Sequence, residues 1–271
     1  KGGSYPIIRF ILGFFVMIGA LMFLGCPIRM ILRLGGGDLN ALFGIAGFAG
    51  GIGFGTIFLK KGYSLQRTYA LSKLESAMMP AIQVGLLVLV VTAPAFIFFS
   101  QKGPGAMHAP WLISLVAGLV VGGLSQVSRL CTVGGFRDLF LFKKSILIFG
   151  YLAVLIGVFV VNISFGNFHL GFENQPIAHT DGLWNFLGMA LAGFCSVLLG
   201  GCPLRQLIMT GEGNSDSAVT VLGLAAGAAF AHNFGLAASG AGPTLNGQIA
   251  VGVGFVVALI IAILNTKRAN A

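Results

Sequence analysis

Charge is what this chain has least of. Only 8% of its 271 residues are charged and only seven of them are acidic, whereas an ordinary soluble domain is roughly a quarter charged. That excludes a water-soluble globular surface and leaves lipid as the solvent for most of the exterior. Cysteine is also scarce. Cys26, Cys131, Cys195 and Cys202 are too few and too widely spaced for a disulfide scaffold or a zinc ribbon, so they read as free thiols. No phosphate-binding loop, hydrolase nucleophile elbow or paired His–Glu metal motif occurs. The sequence therefore points to no cofactor, no metal and no catalytic residue. With no ATP-binding domain, any energy coupling comes from gradients, from trapping by a carrier, or from a partner chain.

What is abundant is apolar. Hydrophobic residues make up 56% of the chain, with 42 glycines and 24 phenylalanines. Glycine lets membrane helices approach closely, and phenylalanine suits lipid-facing and packing positions. A span needs roughly 20 mostly apolar residues. On that rule the expected spans are 5–26, 41–59, 81–100, 110–128, 145–166, 183–200, 217–236 and 247–265. The predicted class is an all-α integral membrane protein, a polytopic helical bundle.

The formal charge of +9 would suggest nucleic acid in a soluble protein. Here the basic residues punctuate apolar segments, where they act as orientation signals, and nucleic acid is excluded as a partner. If the spans alternate, one side holds Lys1, Arg9, Lys60, Lys61, Arg67, Lys73, Arg129, Arg137, Lys143, Lys144, Arg205, Lys267 and Arg268. The other holds Arg29, Arg33 and Lys102. This bias places both chain ends in the cytoplasm and the loop 167–182 outside.

Gly25-Cys26-Pro27-Ile28-Arg29 and Gly201-Cys202-Pro203-Leu204-Arg205 stand 176 residues apart. The same shift carries Gly35, Gly37, Gly47, Gly51, Phe54 and Phe58 onto Gly211, Gly213, Gly223, Gly227, Phe230 and Phe234. Five spans separate the copies, and an odd number inverts the second relative to the first. The expected organisation is a first repeat over 1–100 and a second over 101–271. The counterpart of Cys131 falls about 46 residues before Lys1, so the first repeat is expected to be truncated, with two further spans and another cysteine motif upstream.

Inverted repeats place a substrate near the midplane on interrupted helices, and Gly-Cys-Pro before a short apolar segment reads as such an interruption. Proline suits the first turn of a helix, which puts Cys26 and Cys202 near N-caps. There, free N–H groups and the helix dipole favour anions and thiolates. A polarisable sulfur in that place suits a soft anion. Arg29 and Arg205 follow three residues later, and proximity to the helix start ranks Arg29 above Arg33 as an anion contact. The segment 128–138, with Cys131 followed by Gly134, Gly135 and the Arg137/Asp138 pair, reads as a third broken-helix element. Cys195 lies two helical turns before Cys202, but its repeat mate is Gly19, which favours a packing role. His232 and Asn233, in an apolar segment, are further candidates for the pathway. Asp38, Asn40, Asn214 and Asp216 read as caps.

On the repeated Gly-Cys-Pro-x-Arg motifs and the stretch Arg129-x-Cys131 to Phe136-Arg137-Asp138, the chain resembles the YeeE/YedE family of membrane sulfur transporters, nearest its selenium-transporter branch. The resemblance runs along nearly the whole chain. It implies an hourglass of helices with short helices entering from both faces, and a cysteine relay through Cys26, Cys131 and Cys202. It implies uptake of a small sulfur or selenium anion, thiosulfate among them, and delivery to a cytoplasmic TusA/SirA-like sulfur carrier. The rival reading is a membrane thiol oxidoreductase or sulfurtransferase in which Cys202 pairs with Cys195 or Cys131.

Overall fold

The computed structural model describes residues 5–65, 73–93, 96, 98, 101, 106 and 108–269. Lys1, Arg67, Lys102 and Ala271, which entered the orientation argument, lie outside the described residues. Eleven helices, and no β-strand, occur among those described: α1 Pro6–Phe23, α2 Pro27–Gly35, α3 Asn40–Lys60, α4 Lys73–Thr92, α5 Trp111–Val127, α6 Thr132–Phe142, α7 Ile146–Ser164, α8 Gly182–Leu199, α9 Pro203–Gly211, α10 Ser215–Asn233 and α11 Leu245–Ala269. The molecule is an all-α polytopic membrane protein.

Among the described residues, six stretches are long and apolar enough to cross a bilayer: Pro6–Gly35, Asn40–Lys60, Trp111–Phe142, Ile146–Ser164, Gly182–Gly211 and Leu245–Thr266. The expected span at 217–236 forms α10 and that at 81–100 forms α4 as far as Thr92, part of its remainder lying outside the described residues; among the described residues neither meets that standard. In α4 the apolar part is only Pro80–Thr92. In α10, Asp216 at one end and His232 and Asn233 at the other dilute a run of alanines and glycines.

The centre is a stack of closely crossing helices, with α8 lying against α3 and α1, and α1 in turn against α10. Glycine permits this, because no side chain could fit at the crossings. A Cβ on Gly47 would strike the carbonyl of Phe186, and one on Gly223 that of Phe10; likewise Gly51 faces Ala190 and Gly227 faces Phe14. Each of these pairs maps onto the other under the shift of 176. The same shift carries Pro6–Phe23 onto 182–199, the bounds of α8, and Pro27–Gly35 onto 203–211, those of α9.

Polar contacts distinguish the two ends of the bundle. At one end Arg9 pairs with Asp216 at 3.1 Å and Arg205 donates to Gln126 at 2.8 Å. At the other, the Leu39 N–H donates to the carbonyl of Gly171 at 3.0 Å and Ala238 N–H to that of Leu21 at 3.2 Å. Arg29 and Arg33, on α2, belong to this second end.

Candidate functional site

Three helices break in the same way. Leu24, Arg129 and Gly200 have φ of 62°, 53° and 84°, the left-handed turn that ends a helix. The next residue's N–H then reaches back five positions: Gly25 to Ala20 at 2.8 Å, Leu130 to Ser125 at 3.0 Å, Gly201 to Ser196 at 3.1 Å. The residue after that is in each case a cysteine in extended conformation, and it N-caps a short helix. Its carbonyl accepts the first helical bond: Met30 N–H to Cys26, Gly135 to Cys131 and Gln206 to Cys202. Proline opens α2 and α9, where its missing N–H costs nothing.

The arginine packs over the glycine before two of these cysteines, closely in one case. The Arg29 stem folds back so that its Cδ lies 2.8 Å from where a Cβ on Gly25 would be, while Arg205 Cγ lies in ordinary van der Waals contact, 3.5 Å from the equivalent point on Gly201. Gly-Cys-Pro-x-Arg is thus one packing unit: turn, cap, helix start and an arginine laid across the turn.

The short helices aim their N-termini at a common region. The thiols of Cys131 and Cys202 face each other and interact, and the Thr132 and Arg205 N–H groups approach the Cys202 sulfur. The Cys131 sulfur also accepts from the Gly134 N–H at 3.3 Å. Cys131 and Cys202 share one buried cluster with Met30, Met189, Phe48 and Tyr151. The Tyr151 hydroxyl, on α7, lies within electrostatic range of both Cys202 and Cys26. Cys26 is the half-exposed member, and all four cysteines are free thiols.

Along α2, toward the end of the bundle that carries the loop 165–181, a polar cavity of about 460 Å³ is lined by Arg29, Arg33, Asn162, Asn167, His169 and Gln175, among others. Its two arginines differ. Arg33 is committed to Asp38 at 2.6 Å, to the carbonyl of Phe23 and to the Phe23 ring, 4.0 Å from its centroid. Arg29 has a buried Nε with no hydrogen-bond partner among the described residues. At its repeat equivalent, Arg205 is held by Gln126.

The remaining candidates lie elsewhere. Cys195 is fully buried in a second cluster, with Leu12, Val16 and Phe194. Because α8 ends at Leu199, no helical face continues from Cys195 to Cys202. The structure therefore brings Cys202 to Cys131 and not to Cys195. His232 and Asn233 are exposed at the last turn of α10, where Asn233 donates to the carbonyl of Ala229 at 2.7 Å. Asn214 caps α10 by accepting from the Ser217 N–H at 3.0 Å, and Asp38 caps α3 through the Asn40 N–H at 2.9 Å; Asp216 is an ion-pair partner. Tyr151 went unnoticed in the sequence. Its one signal was a phenol within an otherwise lipid-like run of Ile, Leu, Val and Phe.

A multi-pass helical membrane protein in which free thiols and the N-termini of interrupted helices converge in the bundle is the class these elements define. Residues 127–267, from the end of α5 into α11, match the sulphur transport family, and the chain belongs to that family. It is 30% identical over 111 residues to the thiosulfate transporter TsuA of Escherichia coli (strain K12), an alignment covering 40% of this chain and 30% of that transporter. The match thus spans less than a third of that relative's length.

Proposed function

We propose that this chain takes up a small sulfur- or selenium-containing anion through the prokaryotic inner membrane, along a path marked by Cys26, Cys131 and Cys202, with thiosulfate the first substrate to test. The observation that carries the reading is the convergence of the α2, α6 and α9 N-termini on those thiols. An unpaired ion costs several kcal/mol to bring out of water. A helix N-terminus contributes up to about 2 kcal/mol to a partly buried anion, so three acting together are of the size needed. Thiols then supply soft, weak contacts that an ion can leave as readily as it arrives.

In this scheme the two halves, 1–100 and 101–271, form an inverted pair. The cavity along α2 faces outward and collects the anion, with Arg29 as its uncommitted cation and Arg205 on the cytoplasmic side. The Cys131/Cys202 pair hands cargo toward the cytoplasm, where a TusA/SirA-like sulfur carrier is the expected acceptor and where the C-terminus lies. The positive-inside bias supports this orientation. The test is uptake of labelled thiosulfate, and separately of selenium anions, by proteoliposomes containing the purified protein. Vesicles that accumulate no more label than protein-free ones refute the transport reading.

A further inference from the structure

Tyr151 carries an oxygen that the fold does not use. Its residue is 5% exposed, and its hydroxyl is buried without a hydrogen-bond partner among the described residues. The ring is fully occupied: it meets Phe136 edge-on at 5.7 Å, and Phe136 meets Phe48 at 6.0 Å. Phenylalanine would make the same aromatic contacts and avoid the penalty of about 1–3 kcal/mol for an unsatisfied buried hydroxyl. The oxygen's position is not arbitrary. Tyr151 belongs to the same buried cluster as Cys131 and Cys202, and it lies within electrostatic range of Cys202 on one short helix and of Cys26 on another.

From this geometry we infer that the Tyr151 hydroxyl donates a hydrogen bond to the oxygen end of an anion whose soft atom rests on the thiols, and so selects for anions with one soft and several hard atoms. The inference deepens the transport reading and rests on it. Thiols are weak donors and suit a sulfur or selenium atom, but they leave an oxyanion's oxygens poorly served. A phenol hydroxyl is a stronger donor in a dry place, where a hydrogen bond to a charged group is worth more than one between neutral groups. Cys26, Cys202 and Tyr151 together then offer soft contacts and a hard one, which fits thiosulfate and does not fit sulfate.

The test is Tyr151→Phe in reconstituted vesicles supplied with labelled thiosulfate, with the unfolding temperature measured on the same preparations. Uptake is expected to fall about tenfold or more, the loss that follows from deleting a hydrogen bond to a charged group, while the unfolding temperature holds or rises. Unchanged uptake overturns the inference, as does a fall in uptake accompanied by a fall in unfolding temperature. A second readout is the rate at which N-ethylmaleimide alkylates Cys26, with and without thiosulfate. Slowing by thiosulfate in the wild type but not in Tyr151→Phe upholds the inference; equal slowing, or none in either, overturns it. If wild-type vesicles take up nothing, the transport reading alone fails and the alkylation result decides the role of Tyr151.

Discussion

Arg33 and Asp38 form an ion pair at 2.6 Å, with side chains only 5% and 3% exposed. Asp38 also accepts from the N–H and the side-chain amide of Asn40, each at 2.9 Å, so the pair ties the end of α2 to the start of α3. Arg33→Ala leaves a buried carboxylate without its cation, a change that costs about 3–5 kcal/mol. It should lower the unfolding temperature sharply. Arg29→Ala removes no hydrogen bond or ion pair seen among the described residues, only the stem packed over Gly25, so it should lower the unfolding temperature far less than Arg33→Ala while uptake falls about tenfold. Proximity to the helix start led to the expectation that Arg33 would be the milder of the two losses. The structure changes the terms: Arg33→Ala fails through folding and Arg29→Ala through binding. A folded, fully active Arg29→Ala protein would remove the anion role from α2.

The glycine crossings make a second set of expectations. Gly47→Ala and Gly223→Ala each drive a methyl group into a backbone carbonyl of the crossing helix, and overpacking of this kind costs about 1–3 kcal/mol. At Gly118 nothing lies within 4 Å of an added Cβ, so Gly118→Ala should be neutral or slightly stabilising. Thermal unfolding in detergent separates them, and equal stability for Gly47→Ala and Gly118→Ala would contradict the packing described for α3 on α8.

Much of this was legible in the sequence because the signals were local and repeated. Pro27 and Pro203 announce helix starts, and the apolar runs give the long helices to within a few residues except α4, which runs Lys73–Thr92 where 81–100 was expected. The offset of 176 falls on the observed bounds of α8 and α9. What the sequence could not give is which groups meet. In the redox reading either Cys195 or Cys131 could join Cys202, since seven residues of helix would align the first, although its pairing with Gly19 favours packing. Only the left-handed turn at Gly200, which interrupts that face, decides it. Arg29 and Arg33 also look alike in one dimension, and their difference comes from Asp38, folded back across the turn. Tyr151 belongs to a helix whose composition says lipid, and its role depends on packing between elements more than 100 residues apart.

His179 gives a pH dependence. It is buried, its Nε2–H donates to the carbonyl of Met22 at 2.8 Å, and its own carbonyl accepts from the Asn185 amide at 3.0 Å, so it fastens the loop 165–181 to the end of α1. Burial lowers its pKa below the usual histidine value, with the Met22 hydrogen bond opposing, Arg33 lowering it further, and Asp181 and Asp38 raising it. The neutral ring is the folded form. Above about pH 6.5 both folded and unfolded chains carry it neutral and stability is unaffected. As pH falls below that value the unfolded chain takes up the proton first, so stability declines by at most about 1.4 kcal/mol per pH unit. His179→Gln should flatten the acid limb of unfolding temperature against pH, and an unchanged limb would assign the pH dependence to other groups.

The thiols separate transport from mere packing. Cys26→Ser, Cys131→Ser and Cys202→Ser each keep a small polar group and remove the soft, polarisable sulfur, where a serine hydroxyl stays neutral and hard. If the path requires contact with a polarisable atom, each change should lower thiosulfate uptake by about tenfold, or about 1.4 kcal/mol. Cys195 is the control, and its position decides which substitution is informative. It is fully buried among Leu12, Val16 and Phe194, so serine there buries a hydroxyl in an apolar cluster at a cost of about 1–3 kcal/mol. Size alone therefore does not make serine tolerable at 195, contrary to what its pairing with Gly19 suggests. Cys195→Ala removes one atom and no hydrogen bond, and it should transport at the wild-type rate. Thiol mapping during turnover adds the discriminating measurement: uptake with every thiol still reduced agrees with a relay. A disulfide cycling between Cys131 and Cys202, which face each other, would instead give the chain redox chemistry. Full uptake by well-folded Cys26→Ser and Cys202→Ser proteins would end the relay mechanism, because the path would then need only small polar groups at those two helix starts.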